Sequence, residues 1–506
     1  MYLPAKFKNP IKLQKELKTK PEDYWIKRGE KMALRLFRNM ATRVPAYKDF
    51  LKKNKFEASS VKTITDFKNV PLISKDNYLR KYPLDKLCWD GNLKNGKWTF
   101  SKTSGTTGEP FYFPREVSQD WQYAVLAELY LRENFDIHKK STLYIDAFPM
   151  GPWIGGVFTY EAIRMVAERG GYDLSIITTS VNKKEIIDAV KKFGNTFDQI
   201  IIGCYGPFLK DALDDGEEQG VVWSRYNIGF IFSAEGFNEK FRDYVLSRTK
   251  LSKSNVYKTT LNHYGTVDMG TMAHETPLAI KLRRESVKNR LMYETLLGTV
   301  QKLPTFCQYI PELFYFENLN GSLVCSAYSG LPLVRYDLKD NGGVFTLSTL
   351  KERLKKEGFS FGKMVKDSGL GRTIWNLPFV YLYERKDFSV SLYAFQIYPE
   401  TIRKALQHKS VEKKLTGKFT MLVKFDKKQN QFLEINVELK NKVNQTKELG
   451  EKVLKSVLHH LLTENSEYAK TYLEVSAKVL PIIIFWPYED PLHFRAGGKQ
   501  KWVKKS

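Results

Sequence analysis

Eight consecutive residues concentrate the groups that can hold an anion: Thr103-Ser104-Gly105-Thr106-Thr107-Gly108-Glu109-Pro110. Four of the eight carry hydroxyls, and the two glycines sit three apart. Lys97-Trp98-Thr99-Phe100-Ser101 leads in and Phe111-Tyr112-Phe113 leads out, which predicts a hairpin-like loop between two strands. Glycine permits positive φ, so backbone N–H groups and hydroxyls can converge on a phosphate. No Gly-Lys-Ser/Thr closes the run, so it is not a Walker loop. The same composition suits a polar turn, and the run alone leaves both readings open.

Other segments bring chemistry at loop positions. Gly151-Pro152-Trp153-Ile154-Gly155-Gly156 follows a strand-like Thr142–Phe148 and reads equally as a pocket wall or an ordinary glycine turn. Ser233-Ala234-Glu235-Gly236 and His263-Tyr264-Gly265-Thr266-Val267-Asp268 follow two further apolar runs. Asp340 precedes Asn341-Gly342-Gly343 and by itself reads as a β-turn aspartate. Glu384-Arg385-Lys386-Asp387 reads as a solvated charged turn, and Lys499 lies in a basic tail.

The elements that must position these loops follow from periodicity. Residues 23–55 carry a broad apolar stripe of helical spacing, interrupted at Val44-Pro45-Ala46-Tyr47, and Ser74 reads as a helix cap. From Gln119 to Phe232, helical patterns alternate with the strand-like runs Thr142–Phe148, Asp173–Thr179, Gln199–Cys204 and Ile228–Phe232. That alternation predicts an α/β architecture with a largely parallel sheet, whose ligands bind at the strands' carboxyl ends. After Pro311 the pattern turns to β, and 341–380 is a charged connection without clear periodicity. From about Glu384 a small α+β domain is expected: helices at Pro399–Gln407 and Thr446–Leu462, and strands at Phe419–Phe425, Phe432–Leu439 and Tyr472–Leu480. The predicted division is a large domain over 1–383, with a helical lead-in at 1–95, and a small domain over 384–506.

Composition bounds the class. The 506 residues, 42% hydrophobic and 14% aromatic, exceed one compact core and show no signature of disorder. Cys88, Cys204, Cys307 and Cys325 are far apart, which argues against a disulfide framework or zinc site. The amino-terminal residues lack a signal-peptide pattern. The longest apolar run, Val479–Trp486, reads as a buried strand rather than a membrane span, so a cytoplasmic protein is expected. The net charge of +25 is spread over scattered lysines with no nucleic-acid-binding motif beside it, which argues against nucleic acid as a partner.

Taken in order, these segments resemble the adenylate-forming (acyl-activating) superfamily, in particular the phenylacetate–CoA ligase-like branch and its capsule-biosynthesis relatives. The resemblance extends from Val44-Pro45-Ala46-Tyr47 to Gly498-Lys499. It implies that Thr103, Ser104, Gly105, Thr106, Thr107 and Gly108 hold ATP phosphates, with Glu109 where many relatives carry lysine. It implies an acid pocket at Trp153, Gly155 and Gly156, and adenine contacts from Ser233, Ala234, Glu235 and the ring of Tyr264. Asp268 would bind Mg²⁺ where relatives carry glutamate, and Val267 stands in place of a hydroxyl residue. Asp340 would bind the ribose, Arg385 the nucleotide, and Asp387 would serve as hinge of the small domain. Lys499, in Phe494-Arg495-Ala496-Gly497-Gly498-Lys499, would be the catalytic lysine, with Lys501 the second candidate. Ala394 replaces a glycine that in relatives lets pantetheine approach the backbone.

The implied activity is MgATP-dependent conversion of a small-molecule carboxylic acid to an acyl-adenylate with release of pyrophosphate. CoA is the leading acceptor, which would make the enzyme an acid–thiol ligase. Two alternatives stand beside it: an amine or hydroxyl acceptor, and a ligand-binding member of the fold that has lost catalysis.

Overall fold

The computed structural model describes residues 5–103, 110–234, 236–249, 256–298, 303–385, 389–491 and 493–494. The chain forms two compact units. One comprises Met1–Ser101, Tyr112–Cys204 and Asp215–Glu384; the other comprises Lys102–Phe111, Tyr205–Asp214 and Arg385–Ser506.

The strands, in chain order, are β1 (Thr99–Lys102), β2 (Tyr112–Arg115), β3 (Thr142–Asp146), β4 (Leu174–Thr178), β5 (Gln199–Cys204) and β6 (Ile228–Phe232). Next come β7 (Thr260–Thr266), β8 (Gly270–His274), β9 (Thr305–Gln308), β10 (Phe314–Leu319), β11 (Ser322–Ala327), β12 (Leu333–Phe345) and β13 (Phe379–Arg385). The last are β14 (Val390–Leu392), β15 (Phe395–Ile397), β16 (Leu415–Phe425), β17 (Gln431–Leu439) and β18 (Ile482–Trp486).

The large unit is built on an eleven-stranded sheet ordered β10-β11-β12-β13-β9-β8-β7-β6-β5-β3-β4. From β4 to β7 the pairing is parallel. Of these strands, β3, β5 and β6 are largely apolar runs without alternation because helices cover them, and every residue in them is buried. Beyond β7 the expected parallel sheet does not continue. Residues 267–269 make a tight turn rather than a helical crossover, so β8 returns antiparallel to β7. The pairs β9–β13, β10–β11 and β11–β12 are antiparallel as well.

The lead-in is helical as expected. The helix Glu22–Arg43 buries Trp25, Ala33, Leu36, Phe37 and Met40 and packs on β10, β11 and β12. Its break falls at Val44, and Pro45 opens the next helix at a position where a missing N–H costs nothing. Ser74 does not start an α-helix. Its hydroxyl accepts from Asn77 N and its own N–H donates to Asn77 Oδ1, closing a local turn. The charged connection at 341–380 contains two helices, Leu347–Lys356 and Phe361–Asp367. The first is capped from a distance: Glu22 accepts from the N–H groups of Leu347 and Ser348.

In the smaller unit, β16 and β17 pair antiparallel and β18 adds parallel to β17. The helices Pro399–Leu406, Lys447–Glu464 and Ser466–Val479 close its core around Phe419, Ile435, Val453 and Tyr468. The strand expected at Tyr472–Leu480 is therefore a helix. Tyr468, Val475 and Val479 are the buried residues of this helical segment, which kinks at Val475 (φ −134°, ψ 28°). The run ending at Trp486 is a strand, but β18 lies at the edge of its sheet and is partly exposed rather than buried. All four cysteines are buried free thiols. No helix among the described residues is long and apolar enough to cross a membrane.

Candidate active site

The end of β7, the turn that follows it and the long strand β12 carry three of the sequence-predicted residues, in two contacts: Tyr264 with Asp340, and Asp268 with Tyr336. Tyr264 near the end of β7 donates from its hydroxyl to Asp340 Oδ2 at 2.6 Å, and both residues are buried. The Tyr264 ring stacks on Phe316 at a centroid separation of 6.1 Å. Asp268 sits in the turn itself, 6% exposed, and accepts from the Tyr336 hydroxyl at 2.6 Å through Oδ2. Lys75 Nζ lies 3.1 Å from Asp268 Oδ1. That contact lacks the alignment of a hydrogen bond, so charge alone holds it. Among the described residues, Thr266 Oγ1, next to Val267, is buried without a hydrogen-bond partner.

The backbone supports this geometry by local irregularity. Gly265 sits at a register shift in the β7–β8 pair, where a Cβ would come within 2.7 Å of Gly270 O. Arg335 and Lys339 in β12 take positive φ (48° and 61°), and the register of β12 against β11 shifts twice. Such bulges re-aim side chains. Arg335 is locked in its unusual conformation by Glu317 and by the carbonyl of Val70, and its N–H donates to Ser326 Oγ. Ile73 pairs with Tyr336, donating to Arg335 O and accepting from Asp337 N, which brings Lys75 to Asp268.

Behind this turn, Arg242 and Arg283 form a buried network with Glu239 and Glu275, and Glu275 also accepts from Asn262 N on β7. Burial alone would push the Glu239 carboxyl up, but Arg242, Arg283 and Arg284 outweigh it and hold it at about 2.

At the carboxyl end of β3, Asp146 is fully buried, with Oδ1 accepting from Phe148 N. Burial pushes its carboxyl well above the usual range against that one hydrogen bond. Trp153 is the N-cap residue of the helix Ile154–Gly170 and is half-buried. Gly156 has a packing reason of its own: a Cβ there would meet Pro149 O at 2.6 Å. Gly155 lies in the first turn of the same helix. Ser233 and Ala234 follow β6, Ala234 with φ of 69°.

Thr103 closes the neck of its loop. Its N–H donates to Phe111 O and its Oγ1 accepts from Phe111 N, both at 3.0 Å. Ser104, Gly105, Thr106, Thr107, Gly108, Glu235, Asp387, Lys499 and Lys501 lie outside the described residues, as does the side chain of Arg385, whose backbone ends β13.

Periodicity missed Lys75, Tyr336 and Asp146. Asp146 reads as one more residue of a buried strand, although a carboxylate closing an otherwise apolar run was a usable signal. Lys75 sits in a plain polar segment and had none.

No family model and no curated protein matches the chain. Among solved structures, a 2-hydroxyisobutyryl-CoA ligase in complex with 2-HIB-AMP and CoA, in its thioesterification state, aligns with a TM-score of 0.62 at 14% identity. The alignment covers 100% of this chain and 94% of that one. The same ligase in its postadenylation state with R3-HIB-AMP aligns with a TM-score of 0.53 over the same shares, also at 14% identity. The chain therefore shares the fold of this CoA ligase over the aligned length.

Proposed function

We propose that this chain activates a carboxylic acid with ATP, forming an acyl-adenylate and releasing pyrophosphate, and then passes the acyl group to an acceptor. The observation that carries the reading is the pairing of Tyr264 with Asp340, with Asp268 held by Tyr336 in the turn that follows β7. An aromatic ring, a carboxylate with two acceptor oxygens and a second, separately held carboxylate suit a base, a vicinal diol and a hard cation respectively. The full-length likeness to a ligase crystallised with an acyl-adenylate and CoA supports the same reading.

In this reading Tyr264 flanks adenine while its hydroxyl orients Asp340 towards both ribose hydroxyls. Thr103, Ser104, Gly105, Thr106, Thr107 and Gly108 hold the phosphates, and Thr266 offers the hydroxyl that Val267 lacks. Ser233, Ala234 and Glu235 line the adenine side, Arg385 contacts the nucleotide, and Trp153, Gly155 and Gly156 border the acid. Asp268 fits a hard divalent ion, because its buried oxygens already attract an ammonium and a phenol. Bound there, Mg²⁺ would neutralise phosphate charge. Lys499 then bridges the carboxylate and the α-phosphate as the P–O bond forms, and electrostatic positioning supplies most of the acceleration. The smaller unit pivots at Asp387 to exchange Lys499 for the acceptor.

CoA is the first acceptor to test. Ala394 favours a second reading, with an amine or hydroxyl acceptor. It takes φ of 71°, the conformation glycine adopts freely, yet carries a Cβ where relatives leave room for pantetheine.

Acid-dependent exchange of labelled pyrophosphate into ATP, across a panel of aryl, aliphatic and amino acids, tests the reaction. Lys499→Ala is expected to abolish exchange and spare ATP binding. No exchange with any acid would overturn the reading in favour of a binding protein.

A further inference from the structure

Both oxygens of Asp268 are already engaged, and the two partners differ in how firmly they are held. Tyr336 is 2% exposed and forms part of the β11–β12 ladder opposite Cys325, so its hydroxyl is fixed by packing. Lys75 reaches Asp268 Oδ1 from outside the sheet on a flexible side chain that is 28% exposed, its ammonium 5.9 Å from the Phe113 ring centroid. A divalent cation that takes Asp268 as a ligand needs one of these oxygens, and its charge repels an ammonium held 3.1 Å away. The lysine is the partner that can leave.

We propose that Lys75 is the resident counterion of Asp268, and that a divalent cation binds there only by displacing it. This inference rests on the reading of Asp268 as the metal ligand. The consequence is an order of loading. A free metal ion must expel a like charge from a buried carboxylate without compensation, so it binds weakly. A metal ion arriving with a nucleotide brings phosphate oxygens that offset the displaced ammonium. Lys75 thereby makes the site select the metal–nucleotide complex over the bare ion. It acts as a positioning residue, through Asp268.

The test uses Mn²⁺ as probe, with the full chain and no nucleotide, reading bound metal from the loss of the free-ion electron paramagnetic resonance signal. Lys75→Met is expected to bind Mn²⁺ at least tenfold more tightly than the parent chain. Lys75→Gln is the second variant should the first fail to fold, with the same expectation. Lys75→Arg keeps the charge and is expected to stay within about twofold of the parent. Asp268→Asn is expected to remove the gained binding in every background. Unchanged Mn²⁺ affinity in both neutral variants would overturn the proposal, as would an arginine variant that binds as tightly as the neutral ones. Tight Mn²⁺ binding that survives Asp268→Asn would overturn it too. This outcome is separable from the reaction: a chain that shows the Lys75 effect but no pyrophosphate exchange keeps this inference and loses the catalytic one.

Discussion

Asp340→Asn tests the nucleotide assignment most directly, because it changes charge while nearly preserving shape. In the structure Asp340 Oδ2 accepts from the Tyr264 hydroxyl at 2.6 Å, with both residues buried. In the proposed complex the carboxylate also accepts from the two ribose hydroxyls. Hydrogen bonds to a charged acceptor contribute roughly 1.5–3 kcal/mol, against about 0.5–1.5 for neutral pairs. An amide offers one acceptor oxygen and turns a donor on the other hydroxyl. The loss is therefore about 1 kcal/mol at each of two bonds, or about 2–3 kcal/mol with the misplaced donor. That corresponds to a rise in the ATP dissociation constant of roughly 30- to 150-fold. Isothermal titration with ATP and with 2′,3′-dideoxy-ATP, on both parent and variant, closes a thermodynamic cycle. The parent is expected to prefer ATP by the full amount, and the variant to bind the two nucleotides within a few-fold of each other. Equal affinity of the parent for both nucleotides would refute the ribose assignment. So would a variant that weakens both nucleotides alike, which would mean that Asp340 acts only by bracing Tyr264.

Two further outcomes follow from backbone and charge. Tyr393 and Ala394 join β14 to β15 with φ of 47° and 71°, a left-handed turn that costs an L-residue roughly 1–2 kcal/mol. After the flexibility glycine adds to the unfolded chain, Ala394→Gly should stabilise the smaller unit by about 0.5–1 kcal/mol, read as a higher denaturant midpoint with stronger hydrogen-exchange protection across β16 and β17. Unchanged or lower protection would show that the turn is not strained. Glu239, held at about 2 against a usual 4.5, is a depressed carboxylate. Its contribution of about 3 kcal/mol is complete above pH ~4.5 and disappears as the pH falls towards ~2. Urea unfolding of the parent and of Glu239→Gln should therefore show a stability gap that narrows over that window, and a gap independent of pH would refute it.

The fold was legible where one local pattern determines one structure. The runs Thr142–Asp146, Gln199–Cys204 and Ile228–Phe232 are apolar on both faces because helices cover them, and they read correctly as parallel strands. Legibility failed where a distant contact decides. The helix Ser466–Val479 hides its stripe under a Tyr-Leu-Glu-Val alternation, and only the packing of Tyr468, Val475 and Val479 in the core reveals it. The end of the parallel sheet at β7 depends on the bulge at Gly265 and the close approach of Gly270, which no hydropathy pattern reports.

The candidate site divides in the same way. Tyr264, Asp268 and Asp340 stood out because each lies in a short run of distinctive composition, although only Asp268 falls in a turn while Tyr264 lies within β7 and Asp340 within β12. Lys75 lies in a polar segment like many others in a chain of 81 basic residues. It reaches Asp268 only because Ile73 pairs with Tyr336, 263 positions further along, while Tyr336 itself donates to the same carboxylate. One strand residue thus fixes both partners of Asp268: one directly, and the other through the backbone of the segment that carries the lysine. A residue whose role arises from such a pairing has no local signature, so the charge that governs the metal position had to come from the structure.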